Sequence, residues 1–271
     1  MKQNISYDDA KKLFLDGLSL SKIEKTFIID RHKLSRLLKE DGVVIPINNK
    51  IFSYNDQFFK KIDTEEKAYW LGFLYADGYI ANDGKKHIIE LCLAEKDMSH
   101  VQKFQKLMCH LKPIALKKSV LNDKLFLSYR YSVTDINIVN DIIALGCTPN
   151  KSLTVKYPDI TQDLNRHFIR GYFDGDGSIT YSGDKILLSL CSGSIEFLNS
   201  IQNIYINEIE DYTEVKILFD KRSNVKTLSK GGLEAPLALL DYLYKDCLVY
   251  LDRKYQKYLA IKQDITNCRL V

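Results

Sequence analysis

The sequence predicts an α+β protein: two αββαββα repeats related by a pseudo-twofold axis, preceded by a small all-α module. Three observations carry that expectation. The segment Trp70-Leu71-Gly72-Phe73-Leu74-Tyr75-Ala76-Asp77-Gly78-Tyr79-Ile80 is echoed by Ile169-Arg170-Gly171-Tyr172-Phe173-Asp174-Gly175-Asp176-Gly177-Ser178-Ile179, each matched position displaced by 99 residues. A similar order of helix and strand patterns follows each copy. Residues 6–41, by contrast, show helix signals only. The 271 residues then divide into a helical module over 1–46, a linker over 47–62, and repeats over 63–166 and 167–271.

In the leading module, Ala10, Leu13 and Phe14 share one stripe of a helix that begins at Tyr7 and breaks at Asp16-Gly17. Ser19 caps a second helix carrying Leu20, Ile23 and Phe27, and Asp30 caps a third that runs through Glu40. The third helix buries Leu34, Leu37 and Leu38 and leaves Arg31, His32, Lys33, Ser35, Arg36 and Lys39 exposed. Cationic side chains reach phosphates and short polar ones reach base edges, so such a helix suits a major groove. Its layout resembles a helix-turn-helix module; a small helical cap with a solvated basic face is the alternative. Pro46 through Asp56 breaks periodicity and reads as the linker.

Each repeat continues in the same way. In the first, a strand over 86–94 leads to a helix opened by Asp97, strand alternation over 124–133 and a helix from Asp135 to Leu145. In the second, a strand over 185–192 leads to a helix from Ser194 to about Ile209, strands over 213–219 and 222–228, and a helix from Ala235 to Tyr244. Asn150-Lys151-Ser152 after the first repeat's last helix matches Arg253-Lys254-Tyr255 after the second's.

Asp63 or Thr64, followed by Glu65 and Glu66, starts the first motif helix, and Asp77-Gly78 ends it. Gly72 and Ala76 are four apart, as are Gly171 and Gly175, so each motif helix carries a flat stripe along which the two helices can pack. Packing delivers Asp77 and Asp176 together at two helix C-termini. Each terminus carries roughly half a negative charge, so the two carboxylates call for a cation between them. Mg²⁺, with Mn²⁺ as a substitute, fits an oxygen donor set of Asp77, Asp176 and the carbonyls of Ala76 and Gly175, completed by water and substrate phosphate. Tyr75 and Asp174, two positions before each acid, differ from each other and are given no catalytic role.

Composition sets outer bounds. Apolar residues make up 45% of the chain and charged residues 27%, which excludes disordered and fibrous classes. Apolar runs are too short for a membrane span, no secretory pattern opens the chain, and six scattered cysteines without a C-x-x-C pair read as free thiols. A soluble cytoplasmic protein is expected. The net charge of +4 is too small to argue for nucleic acid by itself.

The two segments Gly72-Phe73-Leu74-Tyr75-Ala76-Asp77-Gly78 and Gly171-Tyr172-Phe173-Asp174-Gly175-Asp176-Gly177 resemble the paired motifs of the LAGLIDADG homing endonucleases. The resemblance spans roughly Asp63 to Ile261. It implies a monomer whose halves each supply a saddle-shaped antiparallel sheet to the major groove. It also implies that Asp77 and Asp176 bind the cations that cut both strands across the minor groove, leaving 3′ overhangs. The first motif departs from the pattern at Tyr75 and at Trp70-Leu71, neither of which is the metal-binding acid. The family further tends to place a basic residue near the scissile phosphate. By position the candidates are Lys151 and Lys254, with Arg253 as a substitute.

Alternation selects base-reading candidates on the polar strand faces: Lys124, Ser128 and Arg130, beside Phe126 and Ser132, in the first repeat. In the second they are Lys185, Ser189, Lys216, Arg222, Asn224 and Lys226, beside Glu214. The expected partner is a long, non-palindromic double-stranded DNA site, with association to the nucleoid through it and intron RNA as a further partner. A non-cleaving regulator or an RNA-binding maturase on the same scaffold stays open as the alternative function.

Overall fold

The computed structural model describes residues 2–16, 18, 20–43, 52–84, 86–121, 123–183, 185–210, 212–220 and 224–269, in two compact units, 1–51 and 52–271.

The first unit contains β1 (Gln3–Asn4), α1 (Tyr7–Leu15), α2 (Leu20–Thr26), β2 (Phe27–Ile28) and α3 (Arg31–Glu40). Ser6 caps α1 by accepting Asp9 N, and Asp30 caps α3 by accepting Lys33 N at 2.7 Å. Ala10, Ile23, Leu34 and Leu38, one or two from each helix, close its small core. The module is not all-α. Phe27 and Ile28, aromatic and β-branched, leave α2 and pair in parallel with Gln3 and Asn4. The cap assigned to Ser19 and the part of the expected linker over 47–51 lie outside the described residues.

The second unit opens on a segment that is core, not linker. Phe58, Phe59 and Ile62 are buried in the main cluster, because an aromatic-rich stretch gains more from burial than its turn residues gain from solvent. Next come α4 (Glu65–Asp77), β3 (Gly78–Asn82), β4 (His87–Ala94), α5 (Met98–Cys109), β5 (Ala115–Leu121), β6 (Lys124–Val133) and α6 (Ile136–Ala144). The second repeat gives α7 (Asn165–Asp176), β7 (Gly177–Ser182), β8 (Lys185–Ser192), α8 (Ile195–Glu208), β9 (Leu218–Asp220), β10 (Val225–Gly232) and α9 (Glu234–Tyr244), and α10 (Asp252–Arg269) closes the chain. The boundary expected at 166/167 therefore falls inside α7.

The two antiparallel sheets have the same topology, β3-β4-β6-β5 and β7-β8-β10-β9. Helices cover one face of each. Ile89, Leu91, Leu93, Tyr131 and Val133 point into the first half's core, and Ile186, Leu188, Leu190 and Leu228 into the second's. The strand expected over 213–219 is shorter: only 218–220 pairs, since Val215 and Ile217 pack against the core without a ladder partner. Cys92, Cys109, Cys147, Cys191 and Cys247 carry free thiols. Among the described residues no helix is long and apolar enough to cross a membrane.

Candidate active site

The helices α4 and α7 lie against each other at the centre of the second unit, and glycine makes the approach possible. A Cβ at Gly72 would collide with the carbonyl of Phe168, and one at Gly171 with the carbonyl of Tyr69. Further along, a Cβ at Gly175 would meet Ala76 and sit 3.2 Å from Asp77 Oδ2. The small-residue stripe thus brings Asp77 beside the residue that precedes Asp176. Both helices end on their acid. Gly78 and Gly177 follow in extended conformation, where a side chain would come within 2.5 Å of the carbonyls of Leu74 and Phe173.

Both acids reach solvent, and both sit in a crowded environment that disfavours charge. Loss of water, then the neighbouring charge of Asp176, pushes the Asp77 carboxyl up to about 6, against the opposing pull of Lys254 and Arg253. Burial also raises Asp176, opposed by the Tyr172 hydroxyl, Lys254 and Lys151. Two adjacent carboxylates that resist ionising together form a donor set that a divalent cation satisfies. Among the described residues no third histidine, cysteine or acid joins them.

The two lysines are buried and bound to backbone. Lys151 is 8% exposed and donates to Gly78 O at 2.5 Å. Lys254 is 4% exposed and donates to Phe173 O, Asp174 O and Gly177 O at 2.5, 2.9 and 2.5 Å. Gly78 and Gly177 are themselves matched across the repeat, so each ammonium grips the carbonyl just past the acid of its own motif. There it offsets the negative end of the helix dipole. Burial lowers Lys254 to about 8.

Below the acids, α7 carries charges that its sequence neighbours hide. Asp174 is fully buried and accepts from Tyr69 Oη at 2.7 Å, Tyr244 Oη at 2.5 Å and Leu251 N at 2.7 Å. Arg170, also fully buried, donates to Val249 O, Leu243 O and Glu65 Oε1 at 2.9, 3.0 and 2.7 Å. Glu65 in turn accepts Leu248 N at 2.7 Å, tying the start of α4 to the segment before α10. The first residues of α10 are pinned to the first repeat. Asp252 accepts from Ser99 and Lys103, and Arg253 Nε lies 2.9 and 3.2 Å from the two oxygens of Asp97. Asp97, expected to open α5, makes no cap bond and serves Arg253 instead. Sequence reasoning did not find this network; its only signal was charge at positions 170 and 174 within an otherwise apolar helix face.

On the sheet faces turned away from the helices, strand register locates the remaining candidates. Lys124, Ser128 and Arg130 share that face with Lys117 and Ser119, and Arg130 lies 3.6 Å from Glu90. Lys185 and Ser189 share the second sheet's outer face with Thr227 and Ser229, and Ser189 Oγ meets Ser229 Oγ at 2.9 Å. Lys226 is on the other face. It alternates with buried Leu228, donates to Gly193 O at 2.7 Å and stacks over Phe219, so it is not a base reader. Buried Leu228, two residues on, marks the face that Lys226 shares, and Asn224 sits in the turn with φ 57°. Lys216 precedes β9 outside any strand, and Arg222 lies outside the described residues. In the first unit, Arg31 lies 3.9 Å from Glu24 and Arg36 3.8 Å from Glu40; Lys33 is exposed and Ser35 half-buried.

Two matched αββαββα halves joined through glycine-lined helices that end in adjacent acids make up the second unit. Residues 163–206 match the model of the LAGLIDADG-like domain. The fold is that of the homing endonuclease I-WcaI bound to its DNA recognition sequence: 15% identity, TM-score 0.51, covering 80% of this chain and 97% of that one. Also similar are the I-LtrWI LAGLIDADG homing endonuclease bound to target DNA (14% identity, TM-score 0.48, 80% and 92% covered) and full-length DUF199/WhiA from Thermatoga maritima (15%, 0.43, 77% and 66%). No curated protein matches the chain.

Proposed function

We propose that this protein is a site-specific double-strand DNA endonuclease that hydrolyses phosphodiester bonds with Mg²⁺ and leaves 3′ overhangs. The observation that carries the reading is the pair Asp77 and Asp176, delivered side by side by matched helices and each raised above the ordinary carboxylate range. They would hold the cation, with the Ala76 and Gly175 carbonyls as further oxygen donors. Bound there, Mg²⁺ or Mn²⁺ supplies Lewis-acid stabilisation of the phosphoryl oxygens. The protein's own part is positional. Gly72 and Gly171 set the helix spacing, and Lys151 and Lys254 fix the carbonyls that follow each acid. The outer sheet faces, with Lys117, Lys124, Ser128 and Arg130 on one and Lys185, Ser189, Thr227 and Ser229 on the other, would lie along DNA. Their different side chains suit a non-palindromic site bound by a monomer. Arg31, Lys33, Ser35 and Arg36 of α3 would add a separate contact that strengthens binding with a salt-dependent term.

The experiment is Mg²⁺-dependent cleavage of a randomised duplex library with capture of the cut ends, comparing wild type with Asp77→Asn and Asp176→Asn. Discrete ends with 3′ overhangs, lost in both variants, are expected. A protein that selects a sequence yet cuts nothing in Mg²⁺ or Mn²⁺ overturns the nuclease reading in favour of a DNA-binding regulator, and selection of structured RNA instead would favour a maturase.

A further inference from the structure

The outer faces of the two sheets carry different chemistry at one matched place. Cys92 of β4 and Cys191 of β8 correspond across the repeat, 99 residues apart, and fix the comparison. Cys92 lies opposite Arg130 of β6, and Cys191 lies opposite Thr227 of β10. Glu90 and Ser189 correspond in the same way and share those faces, opposite Ser132 and Ser229. On their other side they pair with Tyr79 and Ser178, the second residue after each motif acid.

In the first repeat this place holds a charged pair. Arg130 Nη1 stands 3.6 Å from Glu90 Oε2, with the two side chains 45% and 22% exposed. The carboxylate steers the guanidinium without taking a short hydrogen bond from it, and its charge disfavours a phosphate at the same spot. In the major groove a G·C pair presents two acceptors, guanine O6 and N7, beside the N4 donor of cytosine. A guanidinium next to a carboxylate is the complement of that pattern. In the second repeat the same place is uncharged. Thr227 Oγ1 lies 3.6 Å from Cys191 Sγ, and Ser189 Oγ meets Ser229 Oγ at 2.9 Å. β7, β8 and β10 carry no arginine, acid or amide on that face. With its hydroxyls turned on neighbouring side chains, the patch offers the groove methyl groups, from Thr227 and from exposed Leu187 two residues before Ser189. Among the bases, their partner is the C5-methyl of thymine.

We propose that Glu90 and Arg130 read a G·C pair in the half-site bound by the first repeat, and that Ser189 and Thr227 read an A·T pair, through its thymine methyl, at the same distance from the centre in the other half-site. This rests on the endonuclease reading above and adds which base pair each repeat selects.

The test uses the full chain with Ca²⁺ in place of Mg²⁺, so that binding is read apart from cleavage, and selects duplexes from the randomised library. Wild type should recover sites with G·C at one place and A·T at the equidistant place, each preferred about 5- to 150-fold over the other pair. Two base analogues then test single atoms. 7-Deazaguanine at the first place lacks the N7 acceptor; it should weaken wild-type binding several-fold and cost Arg130→Thr nothing further. Uracil for thymine at the second place lacks the methyl and should weaken wild type several-fold. Exchanging the pairs should exchange the preferences: Glu90→Ser with Arg130→Thr brings A·T to the first place, and Ser189→Glu with Thr227→Arg brings G·C to the second. Melting near the wild-type temperature separates a changed preference from a damaged fold. The same base pair at both places, a 7-deazaguanine penalty that survives Arg130→Thr, or preferences unmoved by the exchange would overturn the assignment. Failure of wild type to select any duplex sequence would instead remove the endonuclease reading, and this proposal with it.

Discussion

The two motif helices present the same acid at the same place and are supported by different chemistry. Around the end of α4 the contacts are few. Tyr75 Oη donates to Leu145 O at 2.6 Å, Cys147 Sγ to Leu74 O at 3.5 Å, and Lys151 to Gly78 O. Around α7, the residue matched to Tyr75 is Asp174, which gathers two tyrosine hydroxyls and a backbone N–H, while Lys254 takes three carbonyls. The difference teaches that duplication preserved the paired acids at the helix ends and left the layer beneath them free to diverge. The second repeat has become the polar hub, and the first supplies Tyr69, Glu65 and Asp97 to it.

The largest expected effect comes from breaking that hub. Asp174→Ala leaves Tyr69, Tyr244 and Leu251 N without their acceptor in a site closed to water. It should destabilise the chain by about 3–5 kcal/mol in urea unfolding. A loss below about 1 kcal/mol would mean that the buried network is incidental and that the repeats are supported alike.

A smaller effect, and a control in which the repeats should agree, comes from the helix seam. Gly72→Ala and Gly171→Ala each drive a methyl into a backbone carbonyl of the facing helix. The two should cost similar amounts, about 1–3 kcal/mol each. Unequal losses would show that the seam, too, has lost its twofold character.

The seam was legible in the sequence because a repeat with small residues four apart admits few arrangements. The acids were legible because helix ends and glycines announce themselves locally. Strands β4, β6 and β8 followed from clean alternation, whereas β5 hid because Leu116 and Val120 lie exposed on the face where alternation normally marks a core. The polar hub could not be read. Asp174 meets Tyr244 and Leu251, some seventy residues away, and nothing local distinguishes a buried aspartate with three donors from a solvated one. The face of Lys226 was misread for a simpler reason: Leu228, two residues on, is buried and fixes the face that Lys226 shares.

A third contrast lies in the covering helices. By position from the helix start, His100 of α5 matches Phe197 of α8, and both are fully buried. His100 stacks on Trp70 at 4.7 Å and its Nε2 lies 3.1 Å from Tyr69 Oη. Because that hydroxyl gives its proton to Asp174, the imidazole donates through Nε2, and when it is neutral its Nδ1 is unprotonated. Burial holds its pKa down to about 3. Below pH ~6.5 the unfolded chain takes up a proton that the folded chain refuses, so stability falls as pH falls toward 3, by at most ~1.4 kcal/mol per pH unit from this residue. His167, lowered to about 4 chiefly by burial and then by Arg170, adds in the same direction. Unfolding measured between pH 7 and 5 should show a shallower slope in His100→Phe, which makes the first repeat resemble the second. Identical slopes would mean that His100 is not held neutral.

The smallest effect tests the comparison from its weaker side. Tyr75→Phe removes one hydroxyl whose acceptor, Leu145 O, lies near the surface end of α6. The ring keeps its packing against Phe168 and Phe197. Loss of a single hydrogen bond of this kind costs about 1 kcal/mol, a fraction of the loss expected at the matched Asp174. The substitution leaves Asp77, Lys151 and Gly78 untouched, so metal-dependent cleavage should persist at near wild-type rate once the protein is folded. A loss comparable to that of Asp174→Ala would show that the first motif helix depends on its tyrosine as the second depends on its acid. The two repeats would then have changed residues while keeping one load path beneath the acids.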